Sequence, residues 1–449
     1  MMPGGNEVSM KNRFLITILA CAHLGVAAQE HGAGRVVLTP QLINELAEEA
    51  RTNNAALWAA RSRIRAAEEN ARSIPLWRDP EIMVGAMGAE RMMRMEDGDL
   101  MYGVEQMLPV FGKEKAARNV ALAEIPVEEA DLEYQFQTLR KTIAEELFKA
   151  VLVDELLVLS QQDLAWLETL ASAVEQRYAV GDATQVDVLR VQNERSRRAE
   201  LIRNQENDRE AAYAGVNRLL NRNVIAAWPQ MELPELAPHI PFTTKLLDYA
   251  QRFEPQLRMM REQRVAAETM LELARKERRP EMSIAVESRQ YARTGDSRSV
   301  EGILKMTVPL FNRGKYNAGV RREEARLQEI DYRIEDMIYQ TRTEVHHLIA
   351  KIDNARREAL LYENEIIPRS QQALRSAEAA WQASRDAFRD VLDARRMLLD
   401  ARTMHARAVA EQYLALSELI LCCGIGDLEA LEVLTNRESD KKAHTEDAQ

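Results

Sequence analysis

Aromatic residues are scarce, at 5% of the 449 residues, although the hydrophobic share is 46%. That excludes a core built on large rings. The apolar content is mostly Ala and Leu, and with 29% charged residues it suits long helices meeting along small, close-packed seams. Excess positive charge is also missing. The net charge of -11 argues against a nucleic-acid partner, and the many Arg residues are interleaved with Glu, as on solvated helix faces. Cysteine is nearly absent, with three residues. Cys21 falls in an N-terminal leader, and Cys422 and Cys423 are adjacent. Neighbouring cysteines bridge only with strain, so no disulfide framework is expected. They read as small buried residues at a helix end or as a metal thiolate pair.

Long apolar runs are lacking after Ala28, which excludes a membrane-spanning helix. A catalytic set is lacking too. There is no phosphate-cradling glycine loop and no HExxH. His346 and His347 are neighbours on a helix, point in different directions and cannot form an i, i+4 metal pair. The carboxylates lie on solvated helices, so no enzyme activity and no cofactor are expected.

The N-terminus reads as a signal peptide, residues 1–28. Met10-Lys11-Asn12-Arg13 is a short basic start, Phe14 to Val26 is mostly apolar, and Val26-Ala27-Ala28 offers small residues for cleavage before Gln29. Ile18-Leu19-Ala20 before Cys21 is a poor lipidation box, which favours cleavage without a lipid anchor. An exported chain with no spanning helix is periplasmic, secreted or a β-barrel.

The strongest signal is an internal duplication at a shift of about 200 residues. Leu46 meets Leu246, Ala50 meets Ala250, Leu57 meets Leu257 and Arg61 meets Arg261. Pro80-Glu81 meets Pro280-Glu281, and Pro109 and Phe111 meet Pro309 and Phe311. A two-residue slip brings Gly112-Lys113 onto Gly314-Lys315, and one further residue brings Asp187-Val188-Leu189 onto Asp390-Val391-Leu392. The division that follows is a first repeat over 29–222, a Pro-rich linker or small side domain over 223–244, a second repeat over 245–424 and a charged tail over 425–449.

Each repeat reads as helix, two strands, long helix, long helix. The first has a helix over Leu42 to Arg72, strands over Ile82 to Gly88 and Leu100 to Leu108, a very long helix from Glu114 to about Gln176, and another over Val186 to Leu220. The second has Leu246 to Arg275, strands near Met282 to Tyr291 and Val300 to Val308, Tyr316 to about Gln382 with a bend at Pro368, and Phe388 to Leu421. About 60 helical residues reach roughly 90 Å, longer than a compact domain needs. The fold class is mainly α with a small β part. In the last helix Val391, Ala394, Leu398, Ala401, His405, Ala408, Gln412, Ala415 and Leu419 step by three and four, a seven-residue seam suited to close helix contacts.

The strands alternate. Met282, Ile284 and Val286 oppose Ser283, Ala285 and Glu287, and Val300, Leu304, Met306 and Val308 oppose Glu301, Lys305 and Thr307. One apolar face and one polar face fit a transmembrane barrel, though ordinary hairpins packed on helices alternate as well. Four strands cannot close a barrel, and open edges in lipid leave N–H and C=O groups unpaired. Three copies would supply about twelve strands, within the known range.

These features resemble the TolC-type outer-membrane efflux family over nearly the whole mature chain, from about Leu42 to Gly424. The residues that carry the resemblance are Gln106-Met107-Leu108-Pro109-Val110-Phe111-Gly112-Lys113 and Val308-Pro309-Leu310-Phe311-Asn312-Arg313-Gly314-Lys315. These look like the paired strand-to-helix junctions of that family. Tyr178-Ala179-Val180-Gly181 with Asp187-Val188-Leu189 looks like its first hairpin tip, and Trp381 to Asp393 like the second. Ser384 stands where the family usually has Gly, and Asp386 where some members carry Arg. The resemblance implies a homotrimer in outer-membrane lipid, with a twelve-stranded barrel and a periplasmic helical tunnel. It also implies docking to a periplasmic adaptor and an inner-membrane pump. Asp79-Pro80-Glu81 and Arg279-Pro280-Glu281 resemble the heavy-metal branch, which serves cation-exporting pumps.

Two local features bear on function. Met83, Met87, Met92, Met93, Met95, Met101 and Met107 crowd one hairpin; thioethers select soft ions such as Cu(I), but flexible Met also fills loops and walls. Asp390 and Asp393 lie three apart on one helix face. In a trimer they would ring the periplasmic mouth, with Asp187 bracing a closed state near Trp381. The same acids could instead stabilise a helix N-terminus. Two other functional readings remain: a periplasmic coiled-coil adaptor or scaffold, and the same duct serving organic drugs.

Overall fold

A computed structural model describes residues 35–87, 99–292, 294–383 and 388–425. The expected signal peptide with Cys21, Met92, Met93, Met95, Ser384, Asp386 and residues 426–449 of the charged tail lie outside them.

Each repeat begins with a broken helix where the sequence suggests a continuous one. α1 (Pro40–Asn53) and α2 (Ala55–Ser73) meet at Asn54, and α5 (Thr244–Phe253) and α6 (Pro255–Glu277) meet at Glu254. At Asn54 the backbone N–H still closes α1 onto Ala50 O at 2.8 Å, while the side chain accepts from Ala56 N at 2.8 Å and opens α2. A side chain that outcompetes the local backbone turns the chain here. In the second repeat Pro255 removes the N–H that would continue α5, and Glu254 caps α6 by accepting from Leu257 N. The duplication reaches the hydrogen bonds. Arg61 donates to Arg51 O across the first break and Arg261 donates to Gln251 O across the second, at 2.8 and 2.5 Å.

The strands β2 (Glu81–Met87), β3 (Asp99–Leu108), β5 (Glu281–Tyr291) and β6 (Ser297–Thr307) form one antiparallel sheet in the order β2-β3-β5-β6. Its central seam joins the repeats, with Leu108 opposite Met282 and Val104 opposite Val286. β2 and β6 are the edges. A second, minute sheet pairs β1 (Val36–Val37) in parallel with β4 (Met231–Glu232), so the proline-rich connection is stitched back onto the start of the described chain.

α3 (Lys113–Ala179) has 67 residues, about 100 Å at 1.5 Å per residue, and runs through Pro126 without a break. α4 (Gln185–Leu219) returns beside it. In the second repeat α7 (Arg313–Leu361) passes through a π turn, Tyr362–Ile366, into α8 (Ile367–Gln382), and α9 (Phe388–Cys423) returns. Pro368 cannot donate, and its ring crowds the preceding turn; the π turn just before it accommodates both effects without ending the helix.

The main core lies where α1, α3, α4, α5, α7 and α9 converge. Leu46, Ile143, Leu147, Phe148, Val216, Leu246, Leu348, Ile352 and Leu416 are buried there, and Phe148 stacks on Tyr413 at 5.1 Å between centroids. The α9 seam is buried as its spacing predicts: Val391, Ala394, Leu398, Ala401, Ala408, Gln412, Ala415 and Leu419 all face inward. His405 is half-buried, and desolvation holds its pKa below the usual value despite Glu363 nearby.

Polar side chains inside this core tie down the connection between repeats. Asp154 is fully buried; it accepts from Tyr213 Oη, from Arg209 Nε and from Met231 N. Gln412 accepts from Ala237 N at 3.0 Å and donates to Ala237 O at 3.1 Å. Asp154 and Gln412 thus both find partners, the condition for placing them in this core at all.

α9 ends at Gly424, whose N–H bonds Leu421 O while Ile425 N bonds Ile420 O, both at 3.0 Å. Gly424 has φ +60, and a Cβ there would lie 2.2 Å from Phe253 O; Gly112, at φ +68, has open space around it. Gly424→Ala is therefore expected to cost about 2–4 kcal/mol, from the left-handed backbone plus the clash. Gly112→Ala should cost only about 1–2 kcal/mol. Urea unfolding midpoints of the two variants test this; equal losses would contradict it.

Candidate functional site

The sheet has two unlike faces. Ile82, Val84, Leu100, Tyr102, Val104, Ile284, Val286, Val300, Leu304 and Met306 share one face by strand alternation, and all are exposed, Val84 to 82% and Ile82 to 76%. An apolar face this continuous is unfavourable in water and suited to lipid. The opposite face carries Glu105, which accepts from Ser283 and from Lys305, together with Glu287, Arg289 and Glu301. Among the described residues no helix is long and apolar enough to cross a membrane.

The strand-to-helix junctions sit at one end of this sheet. Pro109, Phe111 and Gly112 lie between β3 and α3, and Pro309 and Phe311 between β6 and α7. Both begin with the same tight turn, Val110 N to Leu108 O and Leu310 N to Val308 O, each 2.8 Å. They then differ. Gly112 is the left-handed residue that opens α3. Gly314, its sequence counterpart, is already inside α7, with Asn312 at the cap position. The two extra residues in the second junction move the glycine from the cap to the second position of the helix. Phe111 is half-buried, whereas Phe311 is fully exposed. Lys113 Nζ meets Glu281 Oε1 at 3.0 Å, linking the first junction to the second strand pair.

The far ends of the hairpins carry the acids picked out by sequence. Asp187 forms a capping box with Thr184 at the start of α4 and lies 3.6 Å from Arg190. The described contact to Trp381 comes from Arg177: its Nη1 donates to Trp381 O at 2.8 Å, and its guanidinium lies 4.7 Å from the ring centroid. Trp381 in turn meets Phe388 at 5.5 Å. Asp390 is exposed in the first turn of α9. Asp393 pairs with Arg389 at 3.3 Å and Arg396 at 3.5 Å, so part of its charge is neutralised within the chain.

Sequence reading passed over the groups that join the two hairpins. Asp163 on α3 is buried and faces two guanidiniums: Arg395 Nε of α9 donates to it at 2.7 Å, and Arg198 Nε of α4 forms an ion pair at 2.9 Å. Arg395 also lies 4.7 Å from the Trp166 centroid, and Trp166 Nε1 reaches Glu378 of α8 at 3.3 Å. Below them Leu167, Leu170, Val174, Val191, Phe388 and Leu392 form a second core. One signal was present: Asp163 stands four and seven residues before Leu167 and Leu170, an acid on the apolar stripe.

Cys422 and Cys423 stand at the end of α9, Cys423 buried and Cys422 partly so. Burial pushes both thiols up to about 12, which favours their reading as small apolar groups at a helix end. Among the described residues no three His, Cys, Asp or Glu side chains converge as metal ligands.

A sheet apolar on one exposed face, charged on the other and extended by paired helices, the longest about 100 Å, is the wall and tunnel of an outer-membrane channel protein whose helical part is periplasmic. The family model described as outer membrane efflux protein matches residues 46–222 and 246–424, one segment per repeat. The chain belongs to the outer membrane efflux protein family. It is similar to the pyoverdine export outer membrane protein OpmQ of Pseudomonas putida, 24% identical over 320 residues that cover 65% of this chain and 66% of that protein, just short of two thirds of the relative's length. Its fold matches the channel CusC, with a TM-score of 0.75 at 18% identity over 89% of this chain and 96% of that one. It also matches the outer membrane channel CmeC of Campylobacter jejuni, with a TM-score of 0.72 at 14% identity over 94% of each.

Proposed function

We propose that this protein is the passive exit duct of a tripartite efflux system, a homotrimer that receives cargo from an inner-membrane pump through a periplasmic adaptor. The observation that carries this reading is the sheet with one lipid-suited face and two open edges. Unpaired edge groups in lipid cost several kcal/mol each, so β2 and β6 need strands from other copies. The internal seam is a template for that closure. β3, the second strand of its hairpin, pairs with β5, the first strand of the other. Pairing β6 with β2 of a neighbour repeats the same arrangement between duplicated units. The exposed Phe311 lies beside that edge. A coiled-coil adaptor gives no use for an apolar sheet face.

The cargo we propose is a heavy-metal cation, copper or silver first. Support comes from the Pro80-Glu81 and Pro280-Glu281 junctions and from the register, which puts Met83, Met87, Met101 and Met107 on the polar face. The same duct carrying organic molecules is the second reading, favoured by the pyoverdine named for a relative.

At the periplasmic mouth we propose that Asp390 and Asp393 of three copies form a carboxylate ring that attracts cations and binds blocking divalent ions. The competing role is stabilising the N-terminal turn of α9.

Three outcomes are expected. The protein extracted in detergent should run as a stable trimer by light scattering; a monodisperse soluble monomer after leader removal would sink the duct. Deleting the gene should sensitise cells to copper or silver, and sensitivity to organic drugs or dyes alone would overturn the metal cargo. In planar bilayers, the Asp390→Ala and Asp393→Ala double variant should lose cation selectivity and block by periplasmic divalent ions. Unchanged recordings, with stability lowered by tenths of a kcal/mol to about one, would leave only the helix-terminus role.

A further inference from the structure

The sheet register separates the methionines of the first hairpin into distinct groups. Met83 lies opposite Gly103, Met101 opposite Gly85, and Met87 opposite Asp99. Side chains alternate, so these three methionines and Asp99 share the polar face. Met101 is diagonal to both Met83 and Met87, a spacing that long flexible side chains bridge. The glycines leave room for them. A Cβ on Gly103 would lie 3.3 Å from Met83 Cε, so the Met83 thioether reaches across that position, and a Cβ on Gly85 would meet only Met101 Cβ, at 3.8 Å. Met107 is three rungs beyond Met101 on that face, past Gly103 and Glu105, and opposite Ser283.

Asp99 adds an independent observation. It is 3% exposed. Its Oδ2 accepts from Arg298 Nη1, while Oδ1 is shielded from solvent and receives no hydrogen bond from any described residue. A buried carboxylate oxygen without a partner is costly unless something positive reaches it. Met87 stands directly opposite.

Methionine used as packing belongs on the apolar face, where Met282 and Met306 are. Met83, Met87 and Met101 are instead on the face that carries Glu105, Glu287 and Lys305. Thioether sulfur is a soft donor that prefers monovalent Cu(I) and Ag(I). Divalent zinc or cobalt favours imidazole, thiolate and carboxylate sets, which do not converge among the described residues.

The geometry points to a soft-cation site on the inner wall of the barrel: Met83, Met87 and Met101 supply thioethers, and Asp99 Oδ1 supplies the negative charge. The site rests on the duct reading and deepens it, by giving the proposed cargo a place to bind on its way out. A site of flexible neutral sulfurs with one carboxylate suits fast exchange, as a conducting pathway requires.

The test is Ag(I) titration of the detergent-solubilised protein, followed by calorimetry and by NMR of 13C-labelled methionine methyls. The wild type should bind Ag(I) saturably, with shifts concentrated on Met83, Met87 and Met101 and little change at Met107, Met282 or Met306. The triple variant Met83→Leu, Met87→Leu, Met101→Leu, similar in volume and apolarity, should bind at least tenfold more weakly. Asp99→Asn should weaken binding while leaving the methionine pattern in place. Equal affinity in the triple variant, or shifts spread evenly over all methionines, would overturn the site. Conductance of the triple variant in a planar bilayer reads the duct separately: a channel that conducts but ignores Ag(I) loses only the metal site, and a chain that forms no channel loses the duct.

Discussion

An unpaired strand edge cannot stay in lipid, and most of this architecture follows from that. A hydrocarbon environment offers no water to satisfy backbone N–H and C=O groups. Four strands with edges at β2 and β6 are therefore an incomplete object. The duplication supplies a way to complete it, because the contact that joins the two hairpins within the chain can be repeated between chains. The helices inherit the same logic. Each strand pair feeds a long helix through a tight three-residue turn, at Leu108–Val110 and Val308–Leu310, so the direction of the helices is set where the sheet ends. Lys113 on Glu281 fixes one repeat against the other at that level.

Lower down, the rods are held by small residues and by a few buried charges. Ala and Leu along α9 let helices approach closely, but such seams are nearly uniform and specify register weakly. The polar groups supply the specificity. Asp154 gathers Arg209, Tyr213 and the backbone at Met231, and Gln412 clasps both backbone groups of Ala237. Asp163 joins α3 to α4 and α9 through two arginines. Removing one member of such a set strands the others, which is why buried ion pairs define an arrangement more than they stabilise it. The hairpin ends differ: Asp390 is exposed in the first turn of α9, Asp393 pairs with Arg389 and Arg396, and Asp187 caps α4 with Thr184.

The sequence by itself determined the repeat, the order of elements, the long helices and the two faces of the strands. Each depends on local periodicity: Pro109 with Phe111 and Pro309 with Phe311 mark the turns, alternation over Met282–Val286 sets the faces, and three-and-four spacing from Val391 sets the seam. Tertiary structure decided the rest. The break at Asn54 needed the geometry of a side chain outcompeting its own backbone. Gly112 and Gly314 look alike in sequence, yet only Gly112 takes the left-handed conformation, because loop length and not residue type sets the helix start. That Arg177 reaches Trp381 follows from how two hairpins about 200 residues apart in sequence lie side by side. The approach of Met83 and Met87 to Met101, and the pairing of Met87 with Asp99, come from the register of β2 on β3, which composition alone does not fix.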